Sequence, residues 1–151
     1  MRSRMFVAYP AKVGQDDETG GQSEVGARYF EGAAAGALLI GRAPTTPLFN
    51  EYFGPEEALI DLGSSAAEAT DVVAGLLRQP ERLRAIGRRN ATKALRRFDW
   101  SYRWQTILRQ VGEDPLPPLL ERLNRLSELA DDAESSACPR GGLGQNRSSS
   151  V

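Results

Sequence analysis

Residues 19–41, TGGQSEVGARYFEGAAAGALLIG, have the types and spacing best suited to ligand chemistry. Gly20 and Gly21 precede a predicted helix, and a glycine-rich turn at a helix N-terminus exposes backbone N–H groups beside the positive end of the helix dipole. Gly26, in the first predicted turn, would let a diphosphate approach the backbone closely. The pattern therefore predicts a phosphate site, although a glycine pair before a helix is more often only a turn.

Two carboxylates accompany this turn. Glu24 and Glu31 are seven positions apart, about two turns, which places both on one side of the predicted helix. One would accept a hydrogen bond from a sugar hydroxyl near the helix N-terminus, and the other from a hydroxyl further along. Lys12 is the nearest basic side chain that would neutralise a phosphate. Helical glutamates and loop lysines are more often simply solvated, so that interpretation stays open beside the functional one.

The composition excludes several classes of chemistry. The 151-residue chain has no histidine, which removes Ser-His-Asp and Cys-His nucleophile systems, histidine bases and histidine-containing metal sites. Its single cysteine, Cys138, forms no internal disulfide and no CxxC pair, so a reducing compartment is expected. A formal charge of -1 gives no global attraction to nucleic acid or to anionic membranes. Neither a metal site nor a cofactor is predicted.

The apolar segments are too short for a membrane span. The longest covers residues 33–40, far below the roughly 20 residues that cross a bilayer. The start of the chain, MRSRMFVAYP, lacks the apolar core of a signal peptide. We expect a soluble, cytoplasmic protein with no transmembrane segment.

Strand and helix patterns alternate over the first half of the chain, which predicts a parallel sheet with helices on its faces. Only three strands are visible, whereas an independent doubly wound domain usually has about five or six. The predicted fold class is therefore α/β, with a partial Rossmann-like parallel sheet followed by C-terminal helices. Residues 11–23 show no apolar period and are predicted as a loop. The predicted strands are residues 6–9, 37–40 and 58–61, and the predicted helices are residues 24–35 with Ser23 as N-cap, 47–53, and one opened by a capping box at Ser65 and Glu68.

The sequence after Pro80 is helical and then changes character. Three helices are predicted, over residues 81–97, 100–111 and 118–130. After residue 132 the composition turns to Ser, Gly, Asn, Pro and Arg, which predicts a disordered tail.

The run RYFEGAAAGALLIG resembles the donor-binding helix and following strand of GT-B glycosyltransferases of the group 1, or family 4, class and their spore-protein-like relatives. In that family a glutamate is followed by small residues ending in Ala-x-Gly and then by an apolar strand. The resemblance extends over residues 6–108 and includes the closing segments LRQPERLRAIGRRN and FDWSYRW. It implies a C-terminal, nucleotide-sugar-binding domain at residues 1–111, a linker and amphipathic helix at residues 112–132, and the disordered tail at residues 133–151.

The resemblance implies transfer of a sugar from a nucleotide-sugar donor to an acceptor hydroxyl, without a metal. Glu31 matches the family's second motif glutamate, which binds the ribose hydroxyls of the donor. The first motif glutamate stands eight positions earlier, where this chain has Ser23, so Glu24 is displaced by one position. The resemblance further assigns donor-binding N–H groups and a nearby cation to Gly20, Gly21, Gly26 and Lys12.

The resemblance also implies a partner. In the family, the Arg and Lys pair that stabilises the leaving diphosphate, and the whole acceptor domain, come before the stretch that this chain represents. The chain is therefore expected to be an N-terminally shortened member, either a fragmentary gene product or half of a split enzyme, completed by an acceptor domain or a partner chain. A non-catalytic interaction module that binds such a partner is the alternative.

Nucleic-acid binding is a further alternative. The predicted helix at residues 81–97 carries seven Arg and Lys residues. Its apolar residues form a separate stripe, and no recognised DNA or RNA motif accompanies it. A solvated amphipathic face is the preferred interpretation, and no specific nucleic-acid partner is predicted.

Overall fold

The computed structural model describes residues 3–11, 16–21, 23–54 and 57–135. Within this part of the chain, three strands form one parallel sheet in the order β1-β2-β3. Met5 pairs with Leu38, and Leu39 pairs with Leu59. The predicted α/β fold on a partial Rossmann-like parallel sheet is confirmed, and each strand lies within one residue of its predicted bounds. The strands are β1 (Met5–Ala8), β2 (Leu38–Gly41) and β3 (Leu59–Asp61).

Helices connect the strands and complete the chain. Their bounds are α1 (Asp16–Thr19), α2 (Ala27–Ala34), α3 (Pro47–Phe53), α4 (Ala66–Leu77), α5 (Pro80–Arg97), α6 (Trp100–Val111) and α7 (Pro117–Ser135). The predicted bounds of α3 and α6 are confirmed. Helix α6 begins where the Asp99 carboxylate accepts a hydrogen bond from the Ser101 N–H, and it ends at Gly112 in the left-handed conformation. Both signals are local, which is why the sequence locates this helix correctly.

The capping box at the start of α4 is also present. The Ser65 hydroxyl oxygen accepts a hydrogen bond from the Glu68 N–H at 3.2 Å. In return, the Glu68 carboxylate accepts one from the Ser64 N–H at 2.7 Å. This backbone hydrogen bond is the main reason why the pKa of Glu68 is lowered.

The predicted start of α2 is wrong. The helix begins at Ala27 with Gly26 as N-cap in an extended conformation, so Ser23 and Glu24 lie before it. A start at Glu24 would put Gly26 inside the first turn, where glycine loses the most backbone entropy, whereas glycine is acceptable as an N-cap. The predicted end is close to the observed one, because Ala35 caps the helix and Gly36 follows in the left-handed conformation.

Two other boundaries differ from the prediction. The loop predicted for residues 11–23 contains the single turn α1, which lacks the length for an apolar period to show. Helix α7 starts one residue earlier than predicted and continues to Ser135, so residues 133–135 are helical and do not belong to a disordered tail. The buried side chains of α7 are Leu126 and Ala130, which lie before residue 132. The helix can therefore continue through the polar residues that follow, because its packing does not depend on them. Residues 136–151 lie outside the described residues.

Apolar side chains cover both faces of the sheet, and β2 is buried throughout. Helices α2 and α3 cover one face, and α4 and α5 cover the other. The main buried residues of the first face are Tyr29, Ala33, Leu39, Phe49 and Phe53, and those of the second are Leu38, Ile40, Leu76, Leu83 and Ile86.

Helices α2 and α5 approach their neighbours through glycines. A Cβ atom at Gly32 would lie 2.5 Å from a Leu39 methyl carbon and 2.7 Å from the Phe6 ring. A Cβ atom at Gly87 of α5 would collide with the carbonyl oxygen of Gly36. At Gly87 the neighbour is backbone, so only a residue without a side chain allows this separation, whereas a side chain at Gly32 would require Leu39 and Phe6 or the helix to shift.

One buried polar residue attaches α5 to the sheet. The Asn90 amide donates hydrogen bonds to the carbonyl oxygens of Ala37 at 2.8 Å and Ala58 at 3.3 Å. These carbonyls precede β2 and β3, so α5 lies across the end of the sheet at which the strands begin. The buried Asn90 amide group thereby finds two acceptors, one of which, the Ala58 carbonyl oxygen, also accepts a hydrogen bond from the Leu39 N–H at 3.3 Å.

Candidate functional site

Glu31 is solvent-exposed on α2 and lines a groove of about 710 Å³ between α2, α5, α6 and α7. Its carboxylate makes no hydrogen bond or ion pair with the described residues. Both oxygens are therefore available to accept hydrogen bonds from a ligand. We name it the donor groove after the donor-binding role that the sequence resemblance predicts for Glu31. Its other lining residues are Phe30, Ala34, Ala91, Ala94, Leu95, Phe98, Asp99, Trp100, Ser101, Trp104, Arg122 and Leu126.

Tyr29 fixes the rotation of α2 and with it the position of Glu31. Its side chain is fully buried and packs edge-on against Phe49, with ring centroids 5.5 Å apart. The Tyr29 hydroxyl donates a hydrogen bond to the carbonyl oxygen of Arg42 at 2.6 Å, just after β2. Burial raises the pKa of Tyr29 to about 12, so the hydroxyl remains a donor at neutral pH.

The donor groove has an apolar interior and an aromatic wall. Phe98 packs edge-on against Phe30, with ring centroids 5.0 Å apart. Trp100 and Trp104 are 67% and 55% exposed, so their ring surfaces remain accessible. The Arg103 guanidinium lies 4.7 Å from the centroid of the Trp100 ring. Exposed indole rings beside a carboxylate would allow a planar ligand group to stack while its hydroxyls bind Glu31.

An ion pair crosses the donor groove from α6 to α7. Arg122 donates hydrogen bonds to the two carboxylate oxygens of Asp99, at 2.6 and 3.2 Å. This contact is the main reason why the pKa of Asp99 is lowered to about 2, and the hydrogen bonds from Ser101 lower it further. The pairing was not predicted, because residues 23 positions apart give no local sequence signal.

The predicted glycines do not form one continuous phosphate loop within the described residues. Gly20 and Gly21 are exposed and left-handed, but they follow α1, and residues 22–26 separate them from α2. Their Cβ positions face open space, so no neighbouring atom requires glycine there. Gly26 is the N-cap of α2, and no side chain caps the first turn.

The two predicted carboxylates are not on one helix face. Glu24 is exposed but precedes the first residue of α2, so the spacing of two helical turns between it and Glu31 does not apply. The early helix start that the sequence favoured is the source of this error. Lys12 lies outside the described residues, and the structure says nothing of its position.

The model of a family described as "Glycosyl transferase-like" matches residues 2–109. The chain belongs to this family. The match covers the sheet and reaches the last turn of α6, so α7 lies beyond it. Membership confirms the resemblance to group 1 glycosyltransferases and supports a general glycosyltransferase function. No curated protein and no solved structure gave a match.

The described part of this glycosyl transferase-like chain contains neither a candidate membrane span nor a candidate metal cluster. None of its helices combines the length and apolarity needed to traverse a bilayer. Among the same residues, no group of three or more Asp, Glu or Cys side chains lies close enough together to bind a metal ion.

Proposed function

We propose that this chain is the donor-binding portion of a glycosyltransferase that moves a sugar from a nucleotide sugar to an acceptor hydroxyl. Glu31 binds the ribose hydroxyls of the donor. The observation that carries the proposal is the unengaged Glu31 carboxylate in a groove of about 710 Å³, on a helix inside the family match. A pocket of that volume is in the range that holds a nucleotide-sized ligand.

The residues before and at the start of α2 bind the rest of the donor in this proposal. The first-turn N–H groups after Gly26, with no capping side chain, bind diphosphate oxygens, helped by the helix dipole. Gly20 and Gly21 supply further N–H groups. Glu24 contacts the transferred sugar, and Lys12 neutralises a phosphate.

Catalysis requires more than these groups. Sugar transfer from a nucleotide donor is accelerated by cations and N–H groups that stabilise charge on the departing diphosphate. We propose no metal and no cofactor. The acceptor site and the additional cations come from a further acceptor domain or a partner chain, and the isolated chain is a weak catalyst.

A second candidate function is a non-catalytic interaction module. Helix α6 supports it, because Trp100, Trp104, Ile107 and Val111 recur at spacings of four, three and four and are all exposed. This spacing places them on one helix face, and such apolar stripes are typical of protein contacts. If the chain is an interaction module, it should co-purify stably with an acceptor-domain polypeptide. A chain that stays monomeric in the presence of that polypeptide would contradict this function.

The donor-binding function is tested by thermal unfolding with a panel of nucleoside diphosphates. A ligand that binds only the folded chain at 100 times its Kd adds about 2.7 kcal/mol to the free energy of unfolding, so Tm rises measurably. Glu31→Ala should abolish the rise. Glu113→Ala, which removes an exposed carboxylate outside the donor groove, should retain it. If no nucleoside diphosphate in the panel raises the Tm of the chain, the proposal is contradicted.

A further inference from the structure

A second groove lies between α5 and α7 and has a different chemistry from the donor groove. Its volume is about 570 Å³, and the two grooves share no lining residue. Five cationic side chains and one carboxylate line it, in a chain whose formal charge is -1. The positive charge is therefore a local feature. The charged residues of this basic groove are Arg88, Arg89, Lys93, Arg96, Arg97 and Glu134.

Three of the five cations are held by the chain itself. Arg96 donates hydrogen bonds to Asp131 at 2.7 Å and to Glu134 at 3.0 Å. Arg97 donates to the Glu51 carbonyl oxygen at 3.2 Å. The ammonium group of Lys93 donates to the Phe53 carbonyl oxygen at 2.6 Å.

Arg88 and Arg89 differ from these three. Both are exposed, and neither makes a hydrogen bond or ion pair with any described residue. The one carboxylate that lines the groove, Glu134, is already bound by Arg96. The guanidinium groups of these two lining residues therefore keep their full donor capacity at the groove, and guanidinium donors suit the oxygens of a phosphate group.

The uncharged part of the lining is apolar or nearly so. Ala85 and Thr92 contribute from α5, and Ala133 contributes from α7. A concave site with methyl groups and two available guanidinium groups fits a small ligand that joins a phosphate to an apolar portion. Duplex nucleic acid requires a broader basic surface that follows the backbone, and α7 encloses this groove on one side.

We propose that the basic groove binds a phosphate-bearing small molecule through Arg88 and Arg89, with the apolar part of the ligand against Ala85 and Ala133. The source of the phosphate is either a soluble phosphorylated compound or a phospholipid headgroup. The site is independent of the donor groove and of its occupant, because no residue lines both grooves.

Two binding measurements on the full chain distinguish these sources. Inorganic pyrophosphate is titrated calorimetrically at fixed ionic strength, and sedimentation is measured with phosphatidylcholine vesicles with and without phosphatidic acid. The test variant is Arg88→Gln/Arg89→Gln. The control is Arg78→Gln/Arg109→Gln, which removes the same charge at exposed positions outside the groove.

We expect saturable binding either of pyrophosphate or of those vesicles that contain phosphatidic acid. In the test variant this affinity should fall about tenfold or more. The control should change affinity by less than about twofold, since it affects only screened long-range charge. Equal losses in the two variants, or binding of neither probe, would overturn the proposal. Melting curves of both variants verify that the fold is retained.

Discussion

The Tyr29 hydroxyl and the Arg42 carbonyl oxygen, 2.6 Å apart, join the helix that carries Glu31 to the residue after the central strand. Arg42 directly follows β2, so the contact lies at the end of the parallel sheet where its strands finish. In open α/β sheets, ligands bind at that end. The hydrogen bond therefore links the orientation of the candidate ribose-binding carboxylate to the sheet itself.

Removing this hydroxyl should destabilise the chain measurably. In Tyr29→Phe the ring still packs against Phe49, but the part-buried Arg42 carbonyl oxygen loses its donor. We expect the free energy of unfolding in urea to fall by about 1–2 kcal/mol. Tyr9→Phe, at a half-exposed tyrosine, is the matched control and should change it by less than about 0.5 kcal/mol. Equal effects of the two substitutions would contradict the account.

Gly32 should not tolerate even a methyl group. The new Cβ atom of Gly32→Ala would lie 2.5 Å from Leu39 and 2.7 Å from Phe6, so either these two side chains or α2 itself must shift. We expect a loss of about 1–3 kcal/mol in the free energy of unfolding, despite the better helix propensity of alanine.

The control for this substitution is Gly75→Ala in α4, where the added Cβ meets nothing within 4 Å. At that position the better helix propensity of alanine is the only effect, so the free energy of unfolding should rise by about 0.5–1 kcal/mol. Opposite signs for the two glycines are the expected result in chemical denaturation. Stabilisation by Gly32→Ala would show that α2 does not pack as closely as described.

The Asp99–Arg122 pair should contribute to stability in a pH-dependent way. The Arg122 guanidinium is the main cause that lowers the pKa of Asp99 to about 2 in the folded chain. A depressed folded pKa gives stability that is present above the unfolded value of about 3.9 and is lost as pH falls toward 2. Arg122→Gln should therefore lower the free energy of unfolding at neutral pH, and progressively less below about pH 4.

Unfolding curves at a series of pH values check this dependence. The control is Arg125→Gln, because Arg125 pairs with Glu128 at 3.3 Å and both side chains are mostly exposed. Its effect should be small at every pH. A difference between the wild type and Arg122→Gln that stays constant from neutral pH to about pH 2 would show that Asp99 is not the group concerned.

The sequence predicts those features whose signals are local. Asp99 and Gly112 mark the two ends of α6, and Thr46-Pro47 and Gly54 mark those of α3, so both helices were located correctly. At α2 two local signals compete. Ser23 is a good N-cap residue, but Gly26 resists helix formation, and the helix begins only after the glycine.

Contacts between distant parts of the chain could not be predicted in this way. In the sequence Asn90 is simply a polar residue on a predicted helix. In the structure its side chain is buried and donates hydrogen bonds to the two carbonyl oxygens that precede β2 and β3. The amphipathic pattern of α7 predicts a helix but not the surface on which it packs. Both the Arg122 contact in the donor groove and the position of Arg88 and Arg89 at the edge of the basic groove depend on that packing.

The affinity of the chain for a nucleoside diphosphate and for its 2′,3′-dideoxy analogue tests the role of Glu31 most directly. Calorimetry measures Kd for both ligands with the wild type, with Glu31→Gln and with the control Glu113→Gln. Loss of the carboxylate and loss of the hydroxyls then form a double-mutant cycle. If Glu31 binds the ribose, removing the hydroxyls or the carboxylate should each raise Kd about tenfold or more, and doing both should add little. Equal wild-type affinity for the two ligands, or independent additive losses, would contradict the account.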